Sequence, residues 1–181
     1  IYAREINKEF IQIENYDYAF NIFELDAASN RKIDDIRDLL EKVKIPPQVG
    51  KYKVYIIDEV HMLTKEAENA FLKTLEEPPP HIVFILATTE KNKILPTILS
   101  RCQIYDFNKI SDLENKYYLE EIIKSEGYNY ESKAVSIIAK KAYGSLRDSL
   151  TILDRVINYT NGNITLEKTS QILNILDTDT Y

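Results

Sequence analysis

The sequence predicts an α/β domain built on a parallel sheet, followed by a small all-helical domain. Three observations carry this. Val54–Ile57 and Ile82–Ala87 are short runs, apolar on both faces and rich in β-branched residues, as expected of strands covered on both sides. Between them, a segment starting at Thr64 places Ala67, Ala70, Phe71 and Leu75 at helical spacing, so strand, helix and strand form a βαβ unit with a right-handed crossover. Beyond Asn108 only helical periods occur, which predicts domains at 1–108 and 109–181.

The elements follow in order. Ala3, Ile6, Phe10 and Ile13 predict an amphipathic helix over 3–13. The tract Asn15-Tyr-Asp-Tyr18 reads as loop, and Ile22–Leu25 as a strand. Ser29 or Asn30 is placed to cap the next helix, whose first turn carries Asp34 and Asp35, favourable at the positive end of the helix dipole. Its predicted buried stripe is Ile33, Ile36, Leu40 and Val43, and Pro46-Pro47 stop it. Pro78-Pro79-Pro80 end the helix that Thr64 begins. A short helix at Pro96–Leu99 and a last strand at Gln103–Phe107 complete the first domain.

In the second domain, Ser111-Asp-Leu-Glu114 has the capping-box pattern. The helix behind it runs to about Ser125, with Gly127 closing it. A second helix covers roughly 132–142 through Ala134, Val135, Ile138 and Ala142. A third starts at Ser145, is expected to bury Leu146, Leu150, Leu153 and Ile157, and stops at Asn161-Gly162. Thr165 caps the last, which contains Ile172 and Leu176.

Bulk properties narrow the function. With 181 residues, the chain can bury a proper core. A net charge of −6 argues against a free-standing nucleic-acid binder, though not against a subunit presenting a local basic patch in an assembly. Cys102 is the single cysteine, which excludes an internal disulfide and a cysteine zinc site, and suits a reducing cytoplasm. No apolar run approaches the roughly 20 residues of a membrane span, and no segment of these residues has the pattern of a signal peptide. The chain begins at Ile1 without an initiator Met and reads as a piece of something longer.

The chemistry centres on Lys53–Leu63, an apolar strand ending in Asp58-Glu59. In a parallel sheet, ligands sit beyond the carboxyl ends of the strands. One carboxylate there can hold Mg²⁺ while its neighbour orients the attacking water, the division of labour phosphoryl transfer needs. The plainer reading is a strand that ends in two solvated acids. The next strand ends in Thr88-Thr89, a hydroxyl beside the acidic pair, able to bond a phosphate or a water, or merely to satisfy backbone groups. Arg101 follows the short helix and could reach a neighbouring subunit's nucleotide; as an ordinary surface ion pair it contributes little. Arg147 stands at the start of the third bundle helix, where a cation is mildly unfavourable unless it has an anionic partner.

Together these segments resemble the AAA+ ATPases, and within them the gamma/tau clamp-loader family of bacterial DNA polymerase III. The resemblance rests on Glu24-Leu-Asp26-Ala-Ala-Ser29-Asn30, Lys53–Leu63, Asn69–Pro79, Leu86–Thr89, Leu95–Cys102 and Gly144–Asp148, in preserved order from about residue 22 onward. It implies a partial RecA-like AAA+ sheet and a helical lid. It implies ATP and Mg²⁺ as cofactors, with Asp58 as the Walker B Mg²⁺ ligand, Glu59 as the water-activating carboxylate and Thr89 as sensor 1. Arg101 becomes the finger acting on a neighbour, and Arg147 sensor 2. The implied partners are the other clamp-loader subunits (delta, delta-prime and further gamma/tau copies), the sliding clamp and primed DNA, with no membrane.

The chain departs from the family pattern in ways that matter. No G-x-x-x-x-G-K-[ST] loop occurs, so the chain by itself is expected to be inactive. The family's four-cysteine zinc module has no counterpart before Cys102, so zinc enters only if such a module lies outside this chain. The predicted function is an ATP-driven clamp-loader motor subunit in the cytoplasm. The alternatives are a non-hydrolysing structural clamp-loader subunit and a branch-migration or helicase-type AAA+ motor. His61 is expected to pack or bond locally, and Cys102 to be an inert buried thiol. Arg31, Lys32 and Lys51 are either DNA-phosphate contacts or, more simply, solvated charge.

Overall fold

Lys53–Asp58 (β2) is the central strand of a three-stranded parallel sheet. It lies between Ile22–Asp26 (β1) and Ile82–Leu86 (β3), in the order β1-β2-β3. A computed structural model of the chain describes residues 2–8, 20–30 and 33–174. It divides into two compact units, Ile1–Tyr105 and Asp106–Tyr181. Val54, Tyr55 and Ile57 are buried, as the uninterrupted apolar run of β2 requires. The register sets Phe23 beside Tyr55 and Tyr55 beside Phe84. Their rings form a ladder across the three strands, with centroids 4.9 Å and 5.9 Å apart.

Ile33–Val43 (α2) and Lys65–Glu76 (α3) bury apolar stripes around this sheet. On α2 the fully buried residues are Ile36, Leu39 and Val43; Ile33 and Leu40 are only half-buried. On α3, Ala67 and Phe71 are buried, and Phe71 meets the edge of Phe84 at 4.8 Å. Thr64 caps α3 by accepting the Ala67 N–H, as its position predicts. His81 Nε2 lies 3.0 Å from the Val43 carbonyl, satisfying one acceptor that α2 leaves open at its end.

The helix predicted over 3–13 is observed as Tyr2–Lys8 (α1), with the remainder outside the described residues. Its Asn7 is buried and holds the entry to β2: Nδ2 donates to the Tyr52 carbonyl, and Oδ1 accepts the N–H groups of Lys51 and Tyr52. Asn21 reinforces the same loop by donating to the carbonyls of Val49 and Tyr52. Ser29 and Asn30, expected to cap α2, instead bond to Asp26 at the end of β1. Residues 31 and 32 and the tyrosine tract at 16–18 lie outside the described residues.

The predicted strand at Gln103–Phe107 does not form. Pro96–Leu99 (α4) is present, but the segment after it carries no ladder, and Tyr105 and Phe107 are exposed. Its β-branched and aromatic residues Ile104, Tyr105 and Phe107 suit a strand, yet a strand exists only where its backbone groups find partners, and among the described residues neither sheet edge accepts it.

The second unit contains Asp112–Ser125 (α5), Ser132–Lys141 (α6), Leu146–Thr160 (α7) and Leu166–Ile172 (α8). The capping box at Ser111 and Glu114 is complete in both directions. Ser145 and Thr165 cap α7 and α8. The unit is not purely helical: Asn129–Tyr130 (β4) pairs in parallel with Asn163–Ile164 (β5). Gly162 permits that pairing, because its φ is +80° and a Cβ there would sit 2.8 Å from the Tyr128 ring. The buried stripe of α7 is Ser149, Leu153, Val156 and Thr160, whereas Leu150 is exposed. Ser149 and Thr160 can be buried because their hydroxyls donate to the carbonyls of Ser145 and Val156. Leu176 lies outside the described residues.

Candidate functional site

Parallel strands bring their carboxyl ends to one edge, and the register aligns Asp26 with Asp58 and Ile57 with Leu86. The Ala27 N–H donates to the Asp58 carbonyl at 2.9 Å, and the Val60 N–H to the Ala87 carbonyl at 3.0 Å. The second bond ties the turn after Glu59 to the end of β3. Thr88 and Thr89 therefore arrive beside Glu59, across 30 residues of chain.

At Glu59 the backbone turns through the left-handed region, φ 48° and ψ 43°, before a 3₁₀ turn at Val60–Met62. A residue bearing a Cβ occupies this region at a cost, and such positions cluster where function dictates geometry. Asp58 Oδ1 accepts the Glu59 N–H at 2.9 Å, which steadies the turn. The Asp58 carboxylate is exposed. Glu59 Oε2 accepts the Thr89 hydroxyl at 3.3 Å and lies 3.3 Å from His61 Nδ1.

His61 is the residue the sequence undersold. Expected to pack or bond locally, it instead bonds to Thr88, 27 residues away in sequence, and its side chain is only 6 % exposed and faces three partners. Nδ1 is 2.9 Å from Thr88 Oγ1 as well as close to Glu59, and Nε2 is 3.4 Å from Glu90 Oε1. Thr88 Oγ1 also accepts the Glu90 N–H. Lys93 donates to Glu90 at 2.8 Å, and this bond holds the Glu90 carboxyl below its usual range. The pair Glu90 and Lys93 is visible as an i,i+3 spacing, but nothing links it to residue 61 until the strand order is known.

Arg101 makes its bonds elsewhere in the first unit. Arg101 Nη2 pairs with Glu76 Oε1 at 3.1 Å, and Nη1 donates to the Thr97 carbonyl at 2.8 Å. Arg147 belongs to the second unit, exposed on the first turn of α7. Cys102 packs against the core of the first unit, and burial pushes its thiol pKa up, consistent with an inert role. Lys51 lies 5.1 Å from the centre of the Tyr52 ring.

No group of three or more His, Cys, Asp and Glu is arranged to hold a metal among the described residues. That donor set still fits Mg²⁺ delivered with a nucleotide, which keeps waters and takes one or two carboxylates besides phosphate oxygens. Asp58 presents one exposed carboxylate at the end of the central strand, a donor of that kind. Among the described residues, no helix is long and apolar enough to cross a membrane.

Comparison with known proteins agrees across both units. A family model described as DNA polymerase III, delta subunit, matches residues 6–111, and one described as DNA polymerase III clamp loader subunit, ATPase lid domain, matches 116–162. The chain is 43% identical over 159 residues to the DNA polymerase III subunit tau of Escherichia coli, covering 88% of this chain and 25% of that protein. It is 48% identical over 147 residues to the tau subunit of Bacillus subtilis, covering 81% and 26%. The chain thus spans about a quarter of these relatives. Among solved structures, the Thermotoga maritima RuvB Holliday junction branch migration motor superposes with a TM-score of 0.72 at 20% identity, over 88% of this chain and 54% of that one. At that identity the likeness establishes the fold alone, a parallel α/β sheet followed by a helical unit, and the second unit is the part that matches the ATPase lid domain model.

Proposed function

The chain belongs to the DNA polymerase III clamp-loader family, and from that premise we propose that it is part of an ATP-hydrolysing clamp-loader subunit, with hydrolysis at the Asp58–Glu59 turn. The observation that carries this reading is the convergence of Asp58, Glu59 and Thr89 at the carboxyl edge of adjacent parallel strands. Mg²⁺ and ATP, when bound, supply the reacting phosphorus and the charge neutralisation that phosphoryl transfer needs. The rest falls to the chain's own side chains. Asp58 holds the metal. Glu59 accepts the proton of the attacking water, and Thr89 fixes the carboxylate through Oε2.

Arg101 acts on the nucleotide of a neighbouring subunit. It must first leave Glu76, and that exchange is easy, because an ion pair exposed to this degree stabilises by about 0–1 kcal/mol. Arg147 reports a bound nucleotide to the second unit from the start of α7. The two units act as the nucleotide-binding domain and the lid. The partners are further clamp-loader subunits, the sliding clamp and primed DNA, in the cytoplasm. No phosphate-cradling glycine loop is present in these 181 residues, so turnover is a property of the longer protein. The intact acidic pair and the 43–48% identity to tau subunits favour this over a non-hydrolysing arm. They also favour it over a branch-migration motor, whose likeness is one of fold at 20% identity.

The test is ATPase activity of the full-length protein, reconstituted with its partner subunits, clamp and primed DNA. Clamp and DNA should stimulate turnover, and Glu59→Gln should abolish the stimulated rate while leaving ATP bound. Turnover indifferent to Glu59, or stimulated by branched DNA in place of clamp, sinks the reading.

A further inference from the structure

We propose that His61 is a positioning residue that sets the orientation of the Glu59 carboxylate, with Glu90 and Lys93 behind it. This rests on the reading of Glu59 as the group that activates water. A histidine bonded only to a strand-terminal threonine is ordinary packing; a histidine with a carboxylate near each ring nitrogen is not.

A neutral imidazole carries one N–H, so its two nitrogens cannot both donate. With the proton on Nδ1, the ring donates toward Thr88 Oγ1 at 2.9 Å and Glu59 Oε2 at 3.3 Å. Its Nε2 lone pair then faces Glu90, whose charge is shared with the Lys93 ammonium 2.8 Å away. With the proton on Nε2, the ring donates to Glu90, and Nδ1 can only receive the Thr88 hydroxyl. Glu59 Oε2 would then face a lone pair. The place of the proton on His61 and the rotamer of Glu59 are therefore coupled.

The Nδ1–H form matches the observed arrangement, in which the Thr89 hydroxyl and the His61 N–H both converge on Oε2. Among the described residues, no hydrogen bond reaches Glu59 Oε1, which is left to accept the proton of water. The Lys93–Glu90 pair makes this form tolerable by drawing Glu90's charge away from Nε2.

The experiment uses full-length protein with its partner subunits, clamp and primed DNA, and compares His61→Asn, His61→Gln and His61→Ala with and without Glu59→Gln. The Asn amide nitrogen stands where Nδ1 was, and the Gln amide where Nε2 was. Asn should retain turnover within a few-fold. Gln and Ala should lower kcat roughly 10- to 100-fold at unchanged ATP affinity, the size of loss a displaced catalytic group brings. In the Glu59→Gln background the slow residual rate, read by single turnover, should be unchanged by the His61 substitutions, because the group they orient is gone. Thermal melting of each variant separates loss of fold from loss of orientation. Unchanged kcat in folded His61→Ala, equal impairment of Asn and Gln, or additive losses would each overturn the proposal while leaving Glu59's role standing. A Glu59→Gln protein that still turns over ATP overturns both.

Discussion

Glu59 offers a test of geometry that needs no substrate. Its φ of 48° places a residue with a Cβ in the left-handed region, which costs roughly 1–2 kcal/mol for an L-residue. Glycine escapes that cost but gives up roughly 0.5–1 kcal/mol in unfolded-chain entropy relative to alanine. Glu59→Gly and Glu59→Ala lose the same contacts to Thr89 and His61, so those cancel when the two variants are compared. The difference left over favours the glycine variant by about 0–1.5 kcal/mol, centred near 0.75, the reverse of the usual order of alanine over glycine. Hydrogen exchange at the amides of β2, which abuts the turn, reads the opening free energy of this unit. Exchange should be roughly three- to fourfold slower in Glu59→Gly than in Glu59→Ala at the centre of that range. Equal rates, or slower exchange in the alanine variant, would show that Glu59 does not hold this conformation in solution. The placement of its carboxylate beside Thr89 would fall with it.

Two further predictions concern the second unit. Asn115 is fully buried; its Nδ2 donates to Ser149 Oγ at 2.6 Å, but its Oδ1 has no partner among the described residues. Replacing it with leucine removes a bond worth about 1 kcal/mol and an unsatisfied carbonyl costing about 1–3 kcal/mol, so Asn115→Leu should leave urea stability unchanged or raise it by up to about 2 kcal/mol. A clear loss of stability would mean that Oδ1 is satisfied in solution. Ser111→Ala should cost roughly 1 kcal/mol at neutral pH, the value of a helix cap. Glu114 has its pKa lowered first by the Ser111 hydroxyl and then by the Ser111 N–H. A depressed carboxyl pKa stabilises the fold above the unfolded value and loses that effect as pH falls through the folded one. The cost of Ser111→Ala should therefore shrink below about pH 4, and an NMR titration of the variant should show the Glu114 carboxyl moving back up. An unchanged Glu114 midpoint would refute the assignment.

The parts of the fold that could be read in advance are those with a local cause. Thr64, Ser145 and Thr165 cap their helices because each supplies an oxygen to an N–H three residues on. β2 and β3 are legible because strands buried on both faces leave no polar residue to break the run. The site's two acids and Thr89 could be placed from the same logic, since strand ends are where a parallel sheet presents side chains. What escaped depends on partners distant in sequence. Gln103–Phe107 has the β-branched and aromatic residues of a strand but no ladder neighbour among the described residues. Asn129–Tyr130 and Asn163–Ile164 pair over two residues, too few to leave a period. On α7, apolar residues flank the helix on more than one side, and the choice of Ser149 over Leu150 turns on hydrogen bonds to Ser145 and Asn115. His61 escaped because Thr88 and Glu90 reach it only through strand order.

The α7 helix runs from Ser145, its N-cap, to Asn161, its left-handed C-cap, as one unbroken rod about 22 Å long at 1.5 Å per residue. Arg147 sits at one end, and the β4–β5 pairing grips the other through Gly162 and Tyr128. Between them Ser149, Leu153, Val156 and Thr160 lock one face into the core of the unit. Such a rod stores little by bending. Under the role proposed for Arg147, a pull on its guanidinium would be carried by a stiff helix fixed in the core of its own unit, so α7 and α8 would shift with that unit as one piece.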